Sequence, residues 1–299
     1  VGLINALRVA VPGVVLATVL GLVVALGRIS RHPLAHAMAR TYVELLRNVP
    51  LLIQLLMVYG LMLQVLPDPG QAWQFGGLSW SKSGLQWGQE DGGLSPEYLA
   101  LWLGLSVYTS AFVAEVFRSG IEAVAKAAAW KAGESGQRGG NVVRGRGIGY
   151  ARYKTVATYT AVIAEVEVNR LTGVVKVPRV WAAADAGQII NPDGLVNQIE
   201  GGVIQTVSRT LMEQVNWTRA RVTSVDWNTY PILRFPDAPA IEVALINRPE
   251  LPLYGAGEAA AVTVPGALAN AIFDATGARV RTAPFTPERV LAALKGTQA

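Results

Sequence analysis

The sequence contains no cysteine, which excludes disulfide bonds, thiolate nucleophiles and iron–sulfur clusters held by this chain. Charged residues make up only 16% of the 299 residues, a low share for a soluble protein. No Gly-Lys-Ser or Gly-Lys-Thr phosphate loop occurs, so we do not expect the chain to hydrolyse ATP itself. These absences direct attention to the apolar segments.

Three uncharged apolar runs occupy the first third of the chain, at residues 9–27, 49–66 and 98–114. Each is near or above the length that an α-helix needs to cross the core of a bilayer. A helix buried in a soluble core is the alternative for any single run. Because three runs occur together, we predict about three transmembrane helices in contact with a lipid bilayer.

The charges between these runs predict their orientation. The first connection carries Arg28, Arg31, Arg40 and Arg47. The second has Lys82 as its only basic residue and contains three tryptophans among Gly and Ser, which predicts a loop near the membrane surface or a disordered loop. Positive loops stay on the cytoplasmic side, so we predict that the amino terminus lies outside. With three spans, the carboxy-terminal part would be cytoplasmic.

Two motifs support a family resemblance for this region. The segment RNVPLL at 47–52, followed by AEVFRSG at 114–120, resembles the permease subunit of polar amino-acid ABC importers. The resemblance covers residues 2–124 and implies an all-α region in a bacterial inner membrane, with an ABC ATPase and a second permease as partners. The ATPase-coupling loop and the last helices of that family have no counterpart here, which implies a truncated permease over residues 1–124.

Two smaller features of this region are a candidate metal site and a candidate proton carrier. His32 and His36 have the i, i+4 spacing of metal ligands on one helix face. No third ligand is nearby and Pro33 disturbs the turn, so we expect no metal site. We interpret Glu115, at the end of the third run, as a charge close to a loop rather than a proton carrier.

Residues 131–152 form a basic, glycine-rich stretch that first suggests a flexible linker between two unlike parts. An arginine–glycine segment that binds RNA is one alternative, and a solvated loop leading into a strand is the favoured one. Gly145, Gly147 and Gly149 lack a preceding strand at the spacing of a dinucleotide fingerprint. Because the solvated loop is favoured over the RNA-binding segment, we expect no nucleic acid partner.

The remainder of the chain has the periodicity of a mixed α/β domain. Residues 160–168 and 174–180 predict two strands joined by a turn, and 241–246 predict another strand. Apolar residues at every fourth position from Leu195 to Leu211 predict a helix. Two further helices are predicted, one after Pro265 that ends at Gly277 and one with Thr286 as N-cap that ends before Gly296.

Two glycine-containing segments are candidates for a site. Gly201 and Gly202 interrupt the predicted helix at a cost of about 1 kcal/mol each, so we expect another group to approach its backbone. Glu258 stands between Gly-Ala-Gly and a run of alanines. Burial among groups that cannot solvate it would suit this carboxylate to general-base work. An exposed glutamate on a surface turn is an equally compatible alternative.

The segments RGRGIGYARYK, NQIEGG, GAGEAA and FTPERVLAAL resemble the molybdopterin-binding large subunit of the xanthine dehydrogenase/aldehyde oxidase family. The isoquinoline 1-oxidoreductase β-subunit-like branch matches best, over residues 125–295. The resemblance implies an α+β fragment of a molybdenum hydroxylase, with a molybdopterin cofactor of the cytosine dinucleotide type. Such an enzyme inserts water-derived oxygen at an aldehyde or N-heterocycle carbon and passes electrons to an iron–sulfur small subunit.

The same resemblance assigns roles to individual residues. Glu258 matches the base that deprotonates the molybdenum-bound hydroxyl, and Gln198 matches a position that contacts the pterin. Gly201, Gly202 and Gly257 are implied at the cofactor. The earlier cofactor-binding segments of the family would precede residue 125, where the permease-like part stands. We therefore expect residues 125–299 to be the carboxy-terminal portion of an oxidoreductase subunit, fused to a permease fragment and inactive as it stands.

Overall fold

A computed structural model describes residues 2–30, 32–87, 93–130, 139–155 and 157–297. The chain divides into two compact units, Val1–Arg118 and Ser119–Ala299. The boundary predicted between residues 124 and 125 stays a prediction. Arg31, Lys131 and Arg138, which contributed to the expected loop charge and basic stretch, lie outside the described residues.

The first unit contains a helix at each predicted apolar run. The helices are α1 Gly2–Ile29, α2 Pro33–Asn48, α3 Leu51–Val65 and α4 Pro96–Ala127, of which α4 continues past the boundary of the unit. Within the described residues, α1 and α4 are each long and apolar enough to cross a membrane. The pair α2 and α3 is bent by 109° and would make a third span if taken as one. The membrane crossing itself stays a prediction.

A small antiparallel sheet lies between α3 and α4 in the chain. Its strands, in the order β1-β2-β3-β4, are β1 Trp73–Phe75, β2 Leu78–Ser81, β3 Gly84–Trp87 and β4 Gly93–Leu94. Gly76 and Gly77 form the first turn with φ of +54° and +87°, the two-residue geometry that closes a hairpin. The expectation of an all-α first region is therefore wrong, because Gly-Gly between alternating apolar residues forms a hairpin. The position of this segment near the membrane surface stays a prediction.

Glu115 lies inside α4 rather than beside a loop, which corrects the interpretation from sequence. Its carboxylate pairs with the guanidinium groups of Arg28 and Arg118, the latter at 2.5 Å. A third guanidinium, that of Arg47, lies 3.8 Å from the same carboxylate. Three of the basic residues near these helices thus converge on one acidic side chain.

The two histidines of the first unit have local structural roles. His32 is the N-cap of α2, and its Nδ1 accepts a hydrogen bond from the backbone N–H of Ala35 at 3.4 Å. The Nδ1 of His36 lies 2.7 Å from the carbonyl oxygen of Arg28. Among the residues that the structure describes, no group of three or more His, Asp or Glu side chains could hold a metal ion.

The second unit is an α+β fold built on a four-stranded sheet. Its elements are β5 Val142–Arg152, β6 Tyr159–Asn169, β7 Val175–Asp185, α5 Pro192–Leu211, β8 Ala240–Ile246, α6 Val264–Thr276 and α7 Pro287–Thr297. The sheet order is β5-β6-β7-β8, with β8 parallel to β7 and the other neighbours antiparallel. The predicted hairpin and all three predicted helices are confirmed, although α7 includes Gly296.

The described part of the glycine-rich stretch is the edge strand β5, so the linker and loop interpretations are wrong for residues 142–152. Its glycines alternate with larger residues and face α6. A Cβ at Gly147 would lie 2.1 Å from the backbone nitrogen of Ala271, and one at Gly149 would lie 2.3 Å from the carbonyl oxygen of Thr263. Helix backbone therefore rests directly on strand backbone, which only glycine permits.

Two arginines of β5, Arg144 and Arg146, project from the opposite face of the sheet and pair with acidic residues of β6. Arg144 bonds to Glu167 at 2.5 Å and Arg146 to Glu165 at 2.8 Å. The guanidinium of Arg146 also lies 4.9 Å from the ring centroid of Trp181. Gly and Arg thus alternate with the two-residue period of a strand. The glycines lie on the face that packs against α6, and the two arginines lie on the face that carries the ion pairs.

Substitution of Gly147 by Ala tests the contact between β5 and α6. The added Cβ would overlap the helix backbone, so we expect the unfolding free energy to fall by about 3 kcal/mol. The measurement is urea denaturation of the purified chain followed by circular dichroism.

Gly266→Ala is the matched control, because a Cβ at Gly266 in α6 would meet no atom within 4 Å. Helix propensity predicts that this change raises stability by up to about 1 kcal/mol. Equal losses in the two variants would contradict the proposed backbone contact.

Candidate functional site

The segment that carries Glu258 is fixed to the ends of two strands by backbone and threonine contacts. The backbone N–H of Tyr254 donates to the carbonyl of Ala186, just beyond β7, at 3.0 Å. The hydroxyl of Thr158, just before β6, donates to the carbonyl of Gly255 at 3.0 Å. These bonds fix the path of the chain as it approaches Glu258.

The residues after Glu258 turn into the core. Ala259–Val262 form a 3-10 helix whose first two residues are buried, and the buried hydroxyl of Thr160 donates to the carbonyl of Ala259 at 2.8 Å. Glu258 occupies the N-cap position of this short helix, and its side chain is exposed. The expectation of a carboxylate enclosed by alanines is therefore wrong for this chain, because the alanines face inward while Glu258 faces out.

Tyr153 is a site residue that the sequence did not identify. Its hydroxyl donates a hydrogen bond to Oε2 of Glu258 at 3.2 Å. Backbone bonds from Tyr153 N–H to Thr158 O, at 2.9 Å, and from Ala157 N–H to Tyr153 O, at 3.0 Å, hold the turn that presents it. Tyr153 and Glu258 are 105 positions apart in the sequence, which explains why no local pattern linked them.

Helix α5 brings one predicted glycine against the Glu258 segment. A Cβ on Gly202 would lie 3.3 Å from the Cβ of Ala260, two residues after Glu258. The expectation that a group approaches this helix backbone is thus met at Gly202, by the chain itself. Gly201 is exposed, and a Cβ built on it would meet no atom within 4 Å.

The other two predicted cofactor residues are also exposed. Gln198 lies on α5 one turn before Gly202 and presents its amide side chain to the surface. Gly257 precedes Glu258, and a Cβ on it would meet no atom within 4 Å. The structure therefore places Gly202 and Glu258 on touching segments, with Gln198, Gly201 and Gly257 on exposed backbone of those same two segments.

A buried ion pair supports the turn beneath this region. Asp185, at 3% exposure, pairs with Nε of Arg248 at 2.7 Å, and its Oδ1 accepts from the N–H of Gly187 at 3.2 Å. The N–H of Arg248 donates to the carbonyl of Gly187 at 3.0 Å. Because Gly187 also bridges to Leu253, this pair helps to fix the start of the Glu258 segment.

Two tyrosines lie close to this ion pair. The ring centroids of Tyr150 and Tyr159 are 6.3 Å apart. Burial raises the pKa of Tyr150 and also the pKa of Tyr159. Both phenols therefore stay neutral at physiological pH.

The comparisons with known proteins mostly point to one class of protein. A family model described as molybdopterin cofactor-binding domain matches residues 102–239. One of the subunits of nicotinate dehydrogenase from Pseudomonas putida is 49% identical over 166 residues, which are 54% of this chain and 14% of that protein. The isoquinoline 1-oxidoreductase β-subunit of Brevundimonas diminuta is 31% identical over 56% of this chain and 21% of that protein.

The carboxy-terminal part of the chain resembles the molybdopterin-binding domain of the xanthine dehydrogenase/aldehyde oxidase family. The implied cofactor, molybdopterin, is thereby supported, while its dinucleotide form stays a prediction. The chain spans between about a seventh and a fifth of the length of these two relatives. The match to the family model ends before Glu258, so the role of this residue stays a prediction as well.

This chain is also similar to one solved structure from a different class of protein. The crystal structure of an amino acid ABC transporter with histidines covers 43% of this chain and 51% of its own, at 26% identity and a TM-score of 0.31. No inference is based on a similarity at this level. The permease resemblance of residues 2–124 therefore stays a prediction from the sequence.

Asp185→Asn tests the buried ion pair. Removing one partner leaves the other charge without compensation, so we expect the unfolding free energy to fall by about 3 kcal/mol. The exposed pair of Arg179 and Glu242, at 4.0 Å, provides the control. Glu242→Gln should change stability by less than about 1 kcal/mol. Equal changes in unfolding free energy for the two variants, measured by urea denaturation, would contradict a stabilising role for the buried ion pair.

Proposed function

We propose that the unit Ser119–Ala299 forms one wall of a molybdopterin site, with Glu258 as its general base. The observation that carries this proposal is the contact between Gly202 and Ala260. It joins the helix that bears Gln198 to the segment that bears Glu258. The resemblance to the molybdopterin-binding domain supplies the identity of the cofactor.

The residues on this wall are compatible with a bound pterin. Gly201 and Gly257 leave space above the backbone, so a ligand can approach the main chain at both positions. The exposed amide of Gln198 can both donate and accept hydrogen bonds. We assign Gln198, Gly201 and Gly257 to holding the cofactor, and Gly202 to packing α5 against the segment that bears Glu258.

The chemistry assigned to Glu258 is proton transfer. The cofactor, when bound, supplies the redox and oxygen-transfer chemistry of a hydroxylation. Glu258 would accept the proton released from the water-derived oxygen. The hydrogen bond from Tyr153 to Oε2 fixes one carboxylate oxygen and leaves the second to take this proton.

The relatives suggest a substrate class and a partner. Their names refer to nicotinate and isoquinoline, both of which are N-heterocycles, and each name denotes one component of a larger enzyme. We assign N-heterocycles as substrates and an iron–sulfur small subunit as electron acceptor, since a chain without cysteine holds no such cluster by thiolates. Hydroxylation would require further polypeptide, so we expect the chain alone to be inactive.

A hybrid enzyme tests the role of Glu258. The matching segment of the Pseudomonas putida nicotinate dehydrogenase would be replaced by that of this chain and assayed with nicotinate after molybdenum analysis. In the hybrid, Glu258→Gln should keep the molybdenum content and lower the turnover rate roughly 100- to 10,000-fold, the contribution of a general base.

The exposed Glu250 provides the matched control for this hybrid. Glu250→Gln should leave both the metal content and the rate unchanged. Full activity of the Glu258→Gln hybrid would refute the assignment of the base.

We further propose that the unit Val1–Arg118 is embedded in a bacterial inner membrane, with the amino terminus outside. Large apolar side chains project from several sides of α1: Leu7, Val11, Val14, Val15, Val19, Leu22, Val23 and Leu26 are all exposed. Water would oppose this exposure, whereas lipid would favour it. Transport, with an ABC ATPase and a second permease as partners, stays a prediction.

Alkaline carbonate extraction tests the membrane placement. We expect the full chain, expressed in bacteria, to remain in the membrane pellet, because α1 and α4 would cross the bilayer. Replacement of Val11, Val15 and Val19 by Asp should release the chain or prevent insertion, since charge in the bilayer core is costly. Extraction of the unsubstituted chain into the supernatant would contradict the placement.

A further inference from the structure

The small sheet separates its side chains by polarity. Direct cross-strand partners share a face of a sheet, and the pairs are Trp73 with Trp80, Phe75 with Leu78, Leu78 with Trp87, and Trp80 with Leu85. We call these six residues the aromatic face. The alternate positions on the same strands carry Gln74, Ser79, Ser81 and Gln86. Such complete segregation predicts two different environments for the two faces.

The unit itself covers two of the six residues of the aromatic face. Trp80 and Leu85 pack with Met62, Leu66 and Leu99, at the end of α3 and the start of α4. The other four residues of the face are exposed.

The uncovered residues of the face include three large aromatic side chains. Trp73 is 44% exposed, Phe75 is 59% exposed and Trp87 is 45% exposed. An apolar patch of this kind marks a surface that contacts something other than water.

The composition of the face indicates lipid rather than protein. The four strands contain no charged residue, and the nearby Lys82, in a turn, bonds to Asp68 at 2.9 Å. Tryptophan is enriched where membrane meets water, because its ring is apolar while its indole N–H can reach polar groups. On α3, whose Met62 packs with Trp80 and Leu85, the side chains of Leu56, Leu61 and Val65 are also exposed.

We propose that the aromatic face lies on the lipid interface of the bilayer, with Trp73, Phe75 and Trp87 inserted among the headgroups. The proposal rests on the membrane placement proposed above and adds a specific surface to it. The polar face, with Gln74 and Gln86, then points to water. The sheet would thus anchor the ends of α3 and α4 at a fixed depth.

Spin labels on single introduced cysteines test this orientation, and the chain offers them without background because it has no cysteine of its own. Phe75→Cys and Gln74→Cys are neighbours on opposite faces, and both positions are exposed. The labelled full chain would be reconstituted in phosphatidylethanolamine–phosphatidylglycerol vesicles. Power saturation would compare collisions with oxygen, which partitions into lipid, and with a water-soluble nickel chelate.

We expect the ratio of oxygen to chelate accessibility to be severalfold higher at position 75 than at position 74. Equal ratios would overturn the proposal, because the two faces would then share one environment. Exclusion of both reagents at position 75 would also overturn it, since that result indicates a protein contact. The pair Trp87→Cys and Gln86→Cys repeats the comparison on β3 if a β1 variant fails to fold.

A label at Val15, on the exposed surface of α1, separates the two proposals. A lipid signature at position 15 with chelate access at position 75 would leave the membrane placement standing and refute the inference about the sheet. Chelate access at both positions would refute both. Lipid signatures at positions 15 and 75, with a water signature at position 74, are the expected result.

Discussion

Contact between the backbones of β5 and α6 is the constraint on which the second unit depends. Gly147 and Gly149 let the helix lie on the strand at a distance that any side chain would prevent. The 3-10 helix after Glu258 leads directly into α6, so the height of α6 above the sheet also fixes the position of this carboxylate. The arginines on the other face pair with β6 and stabilise the same strand.

Much of the fold could be predicted because its signals are local. Uncharged apolar runs predicted α1, α3 and α4, and periodic apolar residues predicted α5. Gly277 predicted the end of α6, and Thr286 predicted the start of α7. The small sheet was missed although Gly76-Gly77 between alternating residues is a local signal too. The strand at residues 142–152 was not predicted because glycine is depleted in strands. The reason for the glycines lies in α6, more than 100 residues away.

The site was predicted only in part, because only its local features leave a pattern in the sequence. Gly202 and Glu258 lie on touching segments as the motifs suggested, whereas the exposure of Glu258 was one of two open alternatives. Tyr153 and the pair of Asp185 with Arg248 could not be found from sequence, because their partners are distant in the chain. Contacts of this kind depend on the fold, and a single sequence carries no pattern for them.

The threonine bonds that hold the Glu258 segment have a consequence for variation. Thr158 and Thr160 donate to main-chain carbonyls, those of Gly255 and Ala259, and not to side chains. Every residue type offers such a carbonyl, so the path of the segment is insensitive to the side chain at position 258. The residue at position 258 can therefore change without a change in the path of the chain, and a different side chain could be introduced here by a single substitution.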